Sequence, residues 1–260
     1  MRPTVARFIV TGQKLPHLTE TIILAERVHA ALVSLSDGST VFSGCDEQGK
    51  PLDGHGHAHI FCESNIESGK SNDGKITHIT IYASMGFSSE DMQALENLRE
   101  IWGGKDPAVR LLLQGLGNRE NFFGPDPEQG HCPLLAKSRT WVSRTPFLPT
   151  RHPKVTRAGV PKCDARGLQI GSPEHDLLRL LELAGFPAPV VLEPVAGTIL
   201  GGRMVSWASF ACRRSGDEGR QAVGAARGFR MDFAEEVQGP VAVGYASHFG
   251  MGGFVAGDKC

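Results

Sequence analysis

The chain has 260 residues, of which 40% are apolar, and its formal net charge is −1. This length allows one large domain or two small ones with a substantial core. No apolar run reaches the roughly eighteen residues of a membrane span, and the N-terminal "MRPTVARFIVTG" lacks a signal-peptide core. We therefore predict a cytoplasmic protein. Its six cysteines are scattered without a CxxC pair, which indicates reduced thiols rather than a disulfide framework.

The first half of the chain has the element order of a ferredoxin-like unit. Apolar periodicity predicts, in chain order, the strand "TVARFIVTG", the helix "LTETIILAERVHAALVSL", the strands "HGHAHIFCE" and "KITHITIYA", the helix "SSEDMQALENLREIWGG" and the strand "AVRLLLQGLG". This is the order βαββαβ. We assign residues 1–118 to this first domain.

The second half of the chain is less regular. Residues 119–136 are rich in proline and glycine and indicate a connector. The predicted elements that follow are the strand "RTWVSRTPF", the helix "SPEHDLLRLLELAG" and the strands "APVVLEPV", "RMVSWASFACR" and "RGFRMDFAE". No second helix is evident. We therefore expect an α+β protein with two ferredoxin-like (RRM-like) units side by side, the second of which spans residues 137–260 and is distorted.

Positive charge is concentrated in the second half. Residues 1–136 contain 11 Lys and Arg against 17 Asp and Glu, a net charge of −6, whereas residues 137–260 contain 16 against 11, a net charge of +5. Residues 137–162 hold seven basic and no acidic side chains, which favours binding to a polyanion over a merely solvated loop. Trp141 and Phe147 interleave with these charges and are candidates for stacking on bases. The candidate phosphate ligands are Arg139, Arg144, Arg151 and Lys154.

Three histidines occur at two-residue spacing in "GHGHAHIF". On a strand, His55, His57 and His59 form one row on one face, with about 7 Å between neighbours. Such a row suits metal binding or acid–base chemistry, and it also occurs for structural reasons alone. His78 is expected to pack beside the row, and His17, His29, His131 and His175 to be surface or helix residues.

A glycine-rich segment, "GYASHFGMGGF", lies near the end of the chain. Its glycines allow close backbone approach, so the loop is a candidate for presenting N–H groups to a phosphate, although a tight turn needs the same residues. Phe249 is expected to anchor the loop, and Tyr245 either anchors it or stacks on a base. The candidate RNA-binding residues of the loop are Gly244, Tyr245, Ser247, Gly250 and Gly252.

Several ordered motifs resemble one protein family. They are "FSGCDEQGKPLDGHGHAHIF", "GKITHITIYASMGF", "TWVSRTPFLPTRHPK", "GFRMDF" and "GPVAVGYASHFGMGGF", and they extend from about residue 4 to residue 255. Together they resemble CRISPR-associated repeat-processing endoribonucleases, and in particular the processing half of the fused subunit in subtype I-U (also called I-G) systems. The chain departs from that family in two ways. It lacks the N-terminal capping domain, so we expect a standalone version or an excised domain, and it has His29 where the family often has arginine.

This resemblance implies cleavage of CRISPR repeat RNA without a metal or other cofactor. The ribose 2′-OH attacks the adjacent phosphorus, which leaves a 2′,3′-cyclic phosphate and a 5′-OH. The implied catalytic candidates are His57 and His59, with His55 close behind, followed by His152 and His248. The implied partner is repeat RNA, with other subunits of a type I CRISPR effector complex as further candidates and no membrane. Histidine suits both proton transfers because its ordinary pKa, about 6.5, is near neutral pH.

Three alternatives remain open from the sequence. A zinc-dependent hydrolase would use the row of His55, His57 and His59, with Asp53 or His78 as a further ligand. A two-histidine phosphoesterase is a second alternative, because "HIT" at residues 78–80 resembles the His-x-Thr motif of such enzymes, but no second copy is evident. A subunit that holds crRNA without cutting it is the alternative that is not an enzyme.

Overall fold

The computed structural model describes residues 2–54, 56–64, 74–102, 108–122, 132–214 and 222–257. These residues form two compact units. The first contains residues 1–131 together with 199–203 and 248–250, and the second contains 132–198, 204–247 and 251–260. No helix in these described ranges is both long and apolar enough to cross a membrane.

The first unit is a five-stranded antiparallel sheet with two helices on it. Its elements are β1 (Val5–Thr11), α1 (Thr21–Leu35), the short α2 (Thr40–Ser43), β2 (His59–Ser64), β3 (Ile76–Tyr82), α3 (Ser89–Asn97), β4 (Glu100–Ile101) and β5 (Val109–Gly117). The strand order is β2-β3-β1-β5-β4. Leaving aside the edge strand β4, this is the βαββαβ arrangement that the sequence predicts.

Helix boundaries in this unit follow from capping. Ser88 accepts a hydrogen bond from the Asp91 N–H at 3.2 Å, and the Asp91 side chain accepts one from the Ser88 N–H at 2.8 Å, so a capping box starts α3. The sequence predicts this helix to continue to the glycines at 103–104, but it ends at Asn97 because β4 follows within three residues. In α1, Ile22, Ala25, Val28 and Leu32 are buried at helical spacing.

A buried polar group connects three adjacent strands of this sheet, the edge strand β2 and its neighbours β3 and β1. Arg7 on β1 donates to the Glu63 carboxylate on β2 at 3.2 Å, and the Thr80 hydroxyl on β3 donates to the other carboxylate oxygen. Register places His78 opposite both Glu63 and Ile9. Burial, together with nearby Arg7, lowers the pKa of His78, and Glu63 opposes that shift.

The second unit is also an antiparallel sheet. Its elements are β6 (Lys137–Ser143), α4 (Pro173–Leu183), β7 (Val191–Val195), β10 (Gly228–Gln238), β11 (Val241–Ala242) and β12 (Gly253–Ala256). A separate hairpin of β8 (Gly197–Leu200) and β9 (Arg203–Ser206) follows β7 in the chain, and its residues 199–203 are assigned to the first unit. The strand order is β11-β12-β6-β10-β7. The strands β12-β6-β10-β7 repeat the ferredoxin-like order of the first unit.

This unit is distorted where a ferredoxin-like fold has its second helix. Residues 239–252, all of which the structure describes, contain β11 and a 3-10 turn at Ser247–Phe249 but no α-helix. The predictions of an α+β class, of two ferredoxin-like units and of an irregular second unit are therefore confirmed. One predicted strand is partly wrong, because "RMVSWASFACR" forms β9 only to Ser206 and then a 3-10 turn at Trp207–Ser209.

The aromatic residues of the basic stretch are in the core, so the prediction that they stack on bases is wrong. Trp141 and Phe147 are 0% exposed. The Trp141 indole donates to the Ser138 carbonyl at 3.0 Å, and Phe147 meets Phe229 edge to face at 6.0 Å. Both belong to the apolar cluster of the second unit. Arg139, two residues before Trp141 on β6, is exposed, so burial on this face of the strand begins only at Trp141.

Candidate active site

The histidine-rich segment begins before strand β2, so the strand carries only part of it. Strand β2 starts at His59, His57 lies in the bend that precedes it, and His55 is outside the described residues. The prediction that a strand carries all three is therefore wrong for His57. The imidazoles of His57 and His59 are nevertheless roughly parallel, at 24°, with centroids 6.4 Å apart.

A third imidazole fills the space between these two. His248, from the glycine-rich segment, has its ring centroid 3.7 Å from that of His57 and 3.8 Å from that of His59. Its plane is within 8° of the His57 plane and 31° from the His59 plane. His57, His248 and His59 thus form a stack of three imidazoles, which we call the histidine stack. It lies within the first unit, to which residues 248–250 belong.

A backbone hydrogen bond fixes the orientation of His248. Its Nδ1 is 3.1 Å from the carbonyl oxygen of Ala58, in the link between His57 and His59. A carbonyl oxygen can only accept, so Nδ1 carries the proton of this bond. In the neutral ring, Nε2 is then the nitrogen with the basic lone pair, as general base catalysis requires.

Two glycines make room for the stack. At Gly44, with φ +68°, a Cβ would lie 2.8 Å from Cδ2 of His57. At Gly250, with φ +75°, a Cβ would lie 2.7 Å from the carbonyl oxygen of Ile60 and 2.8 Å from Cγ2 of Thr21. A larger residue at Gly44 would displace the His57 ring, and one at Gly250, two residues after His248, would press on the backbone of β2 and on Thr21. The glycines of the terminal loop therefore have a packing role.

His29 is a further imidazole near the stack, and the sequence interpretation expected it to be a surface or helix residue without a role at the site. It is half-buried on α1 and meets Phe249 edge to face, with ring centroids 5.2 Å apart. Phe249 is 8% exposed, which agrees with its expected anchoring role. Helical spacing was a usable signal, because His29 follows the buried Ala25 by four residues.

The three imidazoles differ in access to solvent. His57 and His248 are half-buried, whereas His59 is 8% exposed. His152 lies in the second unit and is exposed, so the histidine stack does not include it. His78 lies on β3, where its Nδ1 is 3.1 Å from the Thr77 hydroxyl.

The geometry of the stack does not suit a metal ion. Zinc lies in the plane of each imidazole that binds it, about 2.0 to 2.1 Å from the nitrogen. Nearly parallel rings 3.7 Å apart cannot both meet this condition for one ion. Within the described ranges, no group of three or more His, Cys, Asp or Glu is arranged to hold a metal.

The candidate phosphate ligands of the basic stretch are available to a partner to different degrees. Arg139, Arg151 and Lys154 are exposed in the second unit. Arg144 is half-buried, and its guanidinium donates to the Thr198 hydroxyl at 3.1 Å.

The backbone of the glycine-rich loop is largely engaged within the protein. The N–H groups of Tyr245, Ser247 and Gly252 donate to the carbonyls of Leu148, Gly244 and Pro146. Ser247 is 6% exposed, and Gly244 has φ +105°. The glycines predicted a loop that presents its N–H groups to a phosphate. These three N–H groups instead donate to carbonyls of the protein.

Comparisons with known proteins gave matches among solved structures only. No family model matches the chain, and no curated protein matches it. One similar structure is described as a Cas6-related gene product from Pyrococcus furiosus, with TM-score 0.45, 11% identity and 97% of each chain covered. Another is described as a RAMP protein that binds different RNA substrates, with TM-score 0.44, 12% identity, and 99% of this chain and 100% of that chain covered. A third, a Cas6 product complex, has TM-score 0.39, 15% identity, and 97% and 99% covered.

Proposed function

We propose that this protein is a metal-independent endoribonuclease that cleaves CRISPR repeat RNA to give mature crRNA. The observation that carries the proposal is the placement of His248 between His57 and His59, which brings together histidines from two motifs of the family resemblance. The exposed cations of the second unit supply charge for the RNA backbone.

The reaction needs one neutral and one protonated group. A base takes the proton of the ribose 2′-OH, an acid gives a proton to the leaving 5′-oxygen, and the P–O5′ bond breaks as the 2′-O–P bond forms. In this proposal the half-buried pair of His57 and His248 performs the two transfers. His59, which is mostly buried, is a positioning residue that packs on His248.

Stacking supports this division of roles. Two unit charges about 4 Å apart repel by roughly 4 kcal/mol at an effective dielectric constant of 20. Protonation of both His57 and His248, whose centroids are 3.7 Å apart, is therefore disfavoured. The repulsion therefore opposes a state in which both rings are charged, and the proposed mechanism needs only one of them to be charged at a time.

The remaining predicted residues keep proposed roles. His152 is a candidate for contacting a phosphate, since it lies between Arg151 and Lys154 on the exposed segment. Arg139, Arg144, Arg151 and Lys154 are proposed to bind the RNA backbone, and Tyr245 to contact a base. Gly244, Ser247, Gly250 and Gly252 are proposed to act through the shape of the loop.

The test is cleavage of a labelled repeat hairpin in EDTA by the wild-type protein and by the His57→Ala and His248→Ala variants. We expect wild-type cleavage, loss of cleavage with retained binding in both variants, and no cleavage of a substrate with a 2′-deoxy nucleotide at the scissile position. His17→Asn is the matched control, because asparagine also caps the turn that His17 starts.

Three results would contradict the proposal. Intact RNA in every buffer, with tight binding, would support the crRNA-holding subunit. Cleavage that EDTA abolishes and zinc restores would support the hydrolase. Cleavage of the 2′-deoxy substrate would exclude 2′-OH attack.

A further inference from the structure

The exposed segment between β6 and α4 contains the same turn twice. In the first copy, the Thr156 N–H donates to the Val160 carbonyl at 2.8 Å, and the Gly159 N–H donates to the Thr156 carbonyl at 3.0 Å. In the second, the Asp164 N–H donates to the Leu168 carbonyl at 2.9 Å, and Gly167 donates to Asp164 at 3.1 Å. Both glycines have positive φ, at +79° and +78°.

Side chains stabilise each turn from within. The Thr156 hydroxyl accepts from the Val160 N–H at 3.1 Å. The Asp164 carboxylate accepts from the N–H groups of Arg166 and Leu168, both at 2.9 Å. These hydrogen bonds define the turns without using any basic side chain, apart from a 3.2 Å contact between Arg166 Nε and Asp164.

Backbone hydrogen bonds hold the two turns next to each other. The Lys154 N–H donates to the Ile170 carbonyl at 2.8 Å, Lys162 donates to Lys154 at 3.0 Å, and Ile170 donates to Lys162 at 2.8 Å. We call residues 154–170 the double hairpin.

The base of the double hairpin is anchored to α4. Asp176, which is 0% exposed, accepts from the N–H of Thr150 at 2.6 Å and from its hydroxyl at 2.9 Å. Arg179 donates to the same carboxylate at 2.7 Å. At Gly171, with φ +79°, a Cβ would fall on the carbonyl oxygen of His152. The segment is therefore a shaped projection on a fixed base.

The surface of this projection is strongly positive and lacks aromatic rings. Five exposed cations extend over sixteen residues, and they are Arg151, Lys154, Arg157, Lys162 and Arg166. The one carboxylate among residues 151–173 is Asp164, which is occupied by the second turn. Residues 151–173 contain no Phe, Tyr or Trp. Proteins that hold single strands stack bases on aromatic rings, whereas cations alone contact phosphates.

We propose that the double hairpin is a sequence-independent binding arm for the phosphate backbone of an RNA stem, in which Arg157, Lys162 and Arg166 act beside Arg151 and Lys154. The identity of the stem as a CRISPR repeat rests on the proposed function. The arm itself contacts backbone, so it binds an unrelated stem equally well.

The same turn in the first unit offers an internal comparison. In residues 46–50 the Asp46 N–H donates to the Lys50 carbonyl and the Gly49 N–H donates to the Asp46 carbonyl, both at 2.9 Å. That copy carries Glu47 and Lys50 and has no cluster of cations. The proposal therefore assigns RNA binding to the charges of the double hairpin and not to the turn.

The test measures affinity for a repeat stem and for an unrelated stem over a range of salt concentrations. The variant Arg157→Ala/Lys162→Ala/Arg166→Ala should raise Kd about tenfold or more for both RNAs and lower the salt slope by about 2 to 3, since each lost phosphate contact removes nearly one. The control Lys50→Ala/Arg110→Ala/Arg203→Ala removes three exposed cations elsewhere and should leave the slope unchanged. The swap Arg157→Lys/Lys162→Arg/Arg166→Lys keeps all charges and should retain the slope.

The outcomes separate this inference from the proposed function. Binding that weakens as expected supports the arm even if no RNA is ever cut, a result that would contradict the endoribonuclease. Cleavage with unchanged Kd and slope in the triple variant, at an unaltered melting temperature, overturns the arm alone. Equal weakening by the control variant also overturns it. Binding to phosphatidylserine vesicles that the triple variant loses while it retains RNA binding would assign the surface to a membrane and overturn the proposal.

Discussion

His248 packs face to face with His57, although 190 residues separate it from the Ala58 carbonyl that orients it. The contact joins the glycine-rich segment near the end of the chain to the start of β2. The geometry of the histidine stack therefore depends on two glycine-permitted turns and on one backbone hydrogen bond, and each can be altered separately.

Replacement of His248 by phenylalanine tests its proton chemistry while a ring stays in the stack. General acid–base catalysis contributes about 10²- to 10⁴-fold, so we expect single-turnover cleavage of repeat RNA to slow by that factor. The aromatic contacts with His57 and His59 are retained, but the hydrogen bond to the Ala58 carbonyl is lost. That loss costs about 1 kcal/mol, so the melting temperature should fall by only about 2 to 4 °C. Cleavage at the wild-type rate would remove His248 from the mechanism.

The Gly44→Ala variant tests the room that His57 needs. A side chain in the left-handed conformation costs about 1 to 2 kcal/mol by itself. Gly49→Ala is the control, since Gly49 has φ +77° but nothing within 4 Å of a Cβ, whereas at Gly44 the new methyl would lie 2.8 Å from the His57 ring. We expect similar losses of stability in urea unfolding and a much larger loss of cleavage in Gly44→Ala. Equal cleavage by the two variants would show that the exact position of His57 is unimportant.

Stability should fall as the pH drops below the ordinary histidine range, partly through His78. Its pKa is lowered from 6.5 in the folded protein, so the unfolded chain binds this proton more tightly. Its contribution is therefore complete above pH 6.5 and is lost as the pH falls from 6.5 through the lower folded pKa. The free energy of unfolding should drop less between about pH 7.5 and about pH 5.5 in His78→Gln than in the wild type. An identical pH dependence in both proteins would contradict this.

Removal of one charge from the ion pair between Arg7 and Glu63 should lower the free energy of unfolding substantially. The two side chains are 5% and 16% exposed, and removal of one partner of such a buried pair costs about 3 to 5 kcal/mol. We expect urea unfolding of Glu63→Gln to show a loss of this order, and the double variant Arg7→Met/Glu63→Leu to recover part of it. Lys137 and Glu236 form the exposed comparison, at 58% and 55% exposure, and Glu236→Gln should cost no more than about 1 kcal/mol. A small loss in both single variants would mean that solvent reaches Glu63.

Local patterns in the sequence were sufficient for most of the fold. The short apolar run of β1 and the helical spacing in α1 predicted those elements, and the strand order followed from the βαββαβ series. The same patterns did not predict which face of β6 points into the core. By strand parity Trp141 shares a face with the charged Lys137 and Arg139, which fits an exposed stacking surface, and only the packing of the second unit shows that Trp141 is in the core.

The site was predictable in its residue types but not in its geometry. His57, His59 and His248 were all candidates, yet no local rule pairs a loop near residue 248 with residue 58. The prediction of a histidine row along one strand is wrong because β2 starts only at His59. Before it, Gly54 has φ +86° and the chain bends at His57. The sequence did not predict the double hairpin, because its two turns share a pattern of hydrogen bonds and a glycine but have little sequence in common.

The sequence position of His248 sets the moment at which the histidine stack can assemble. Translation must pass residue 248 of 260 before the third ring exists, whereas the double hairpin ends at residue 170. A nascent chain thus carries the cations of the double hairpin long before its complete set of imidazoles. If both proposals hold, an emerging polypeptide would bind a transcript before it could cut it.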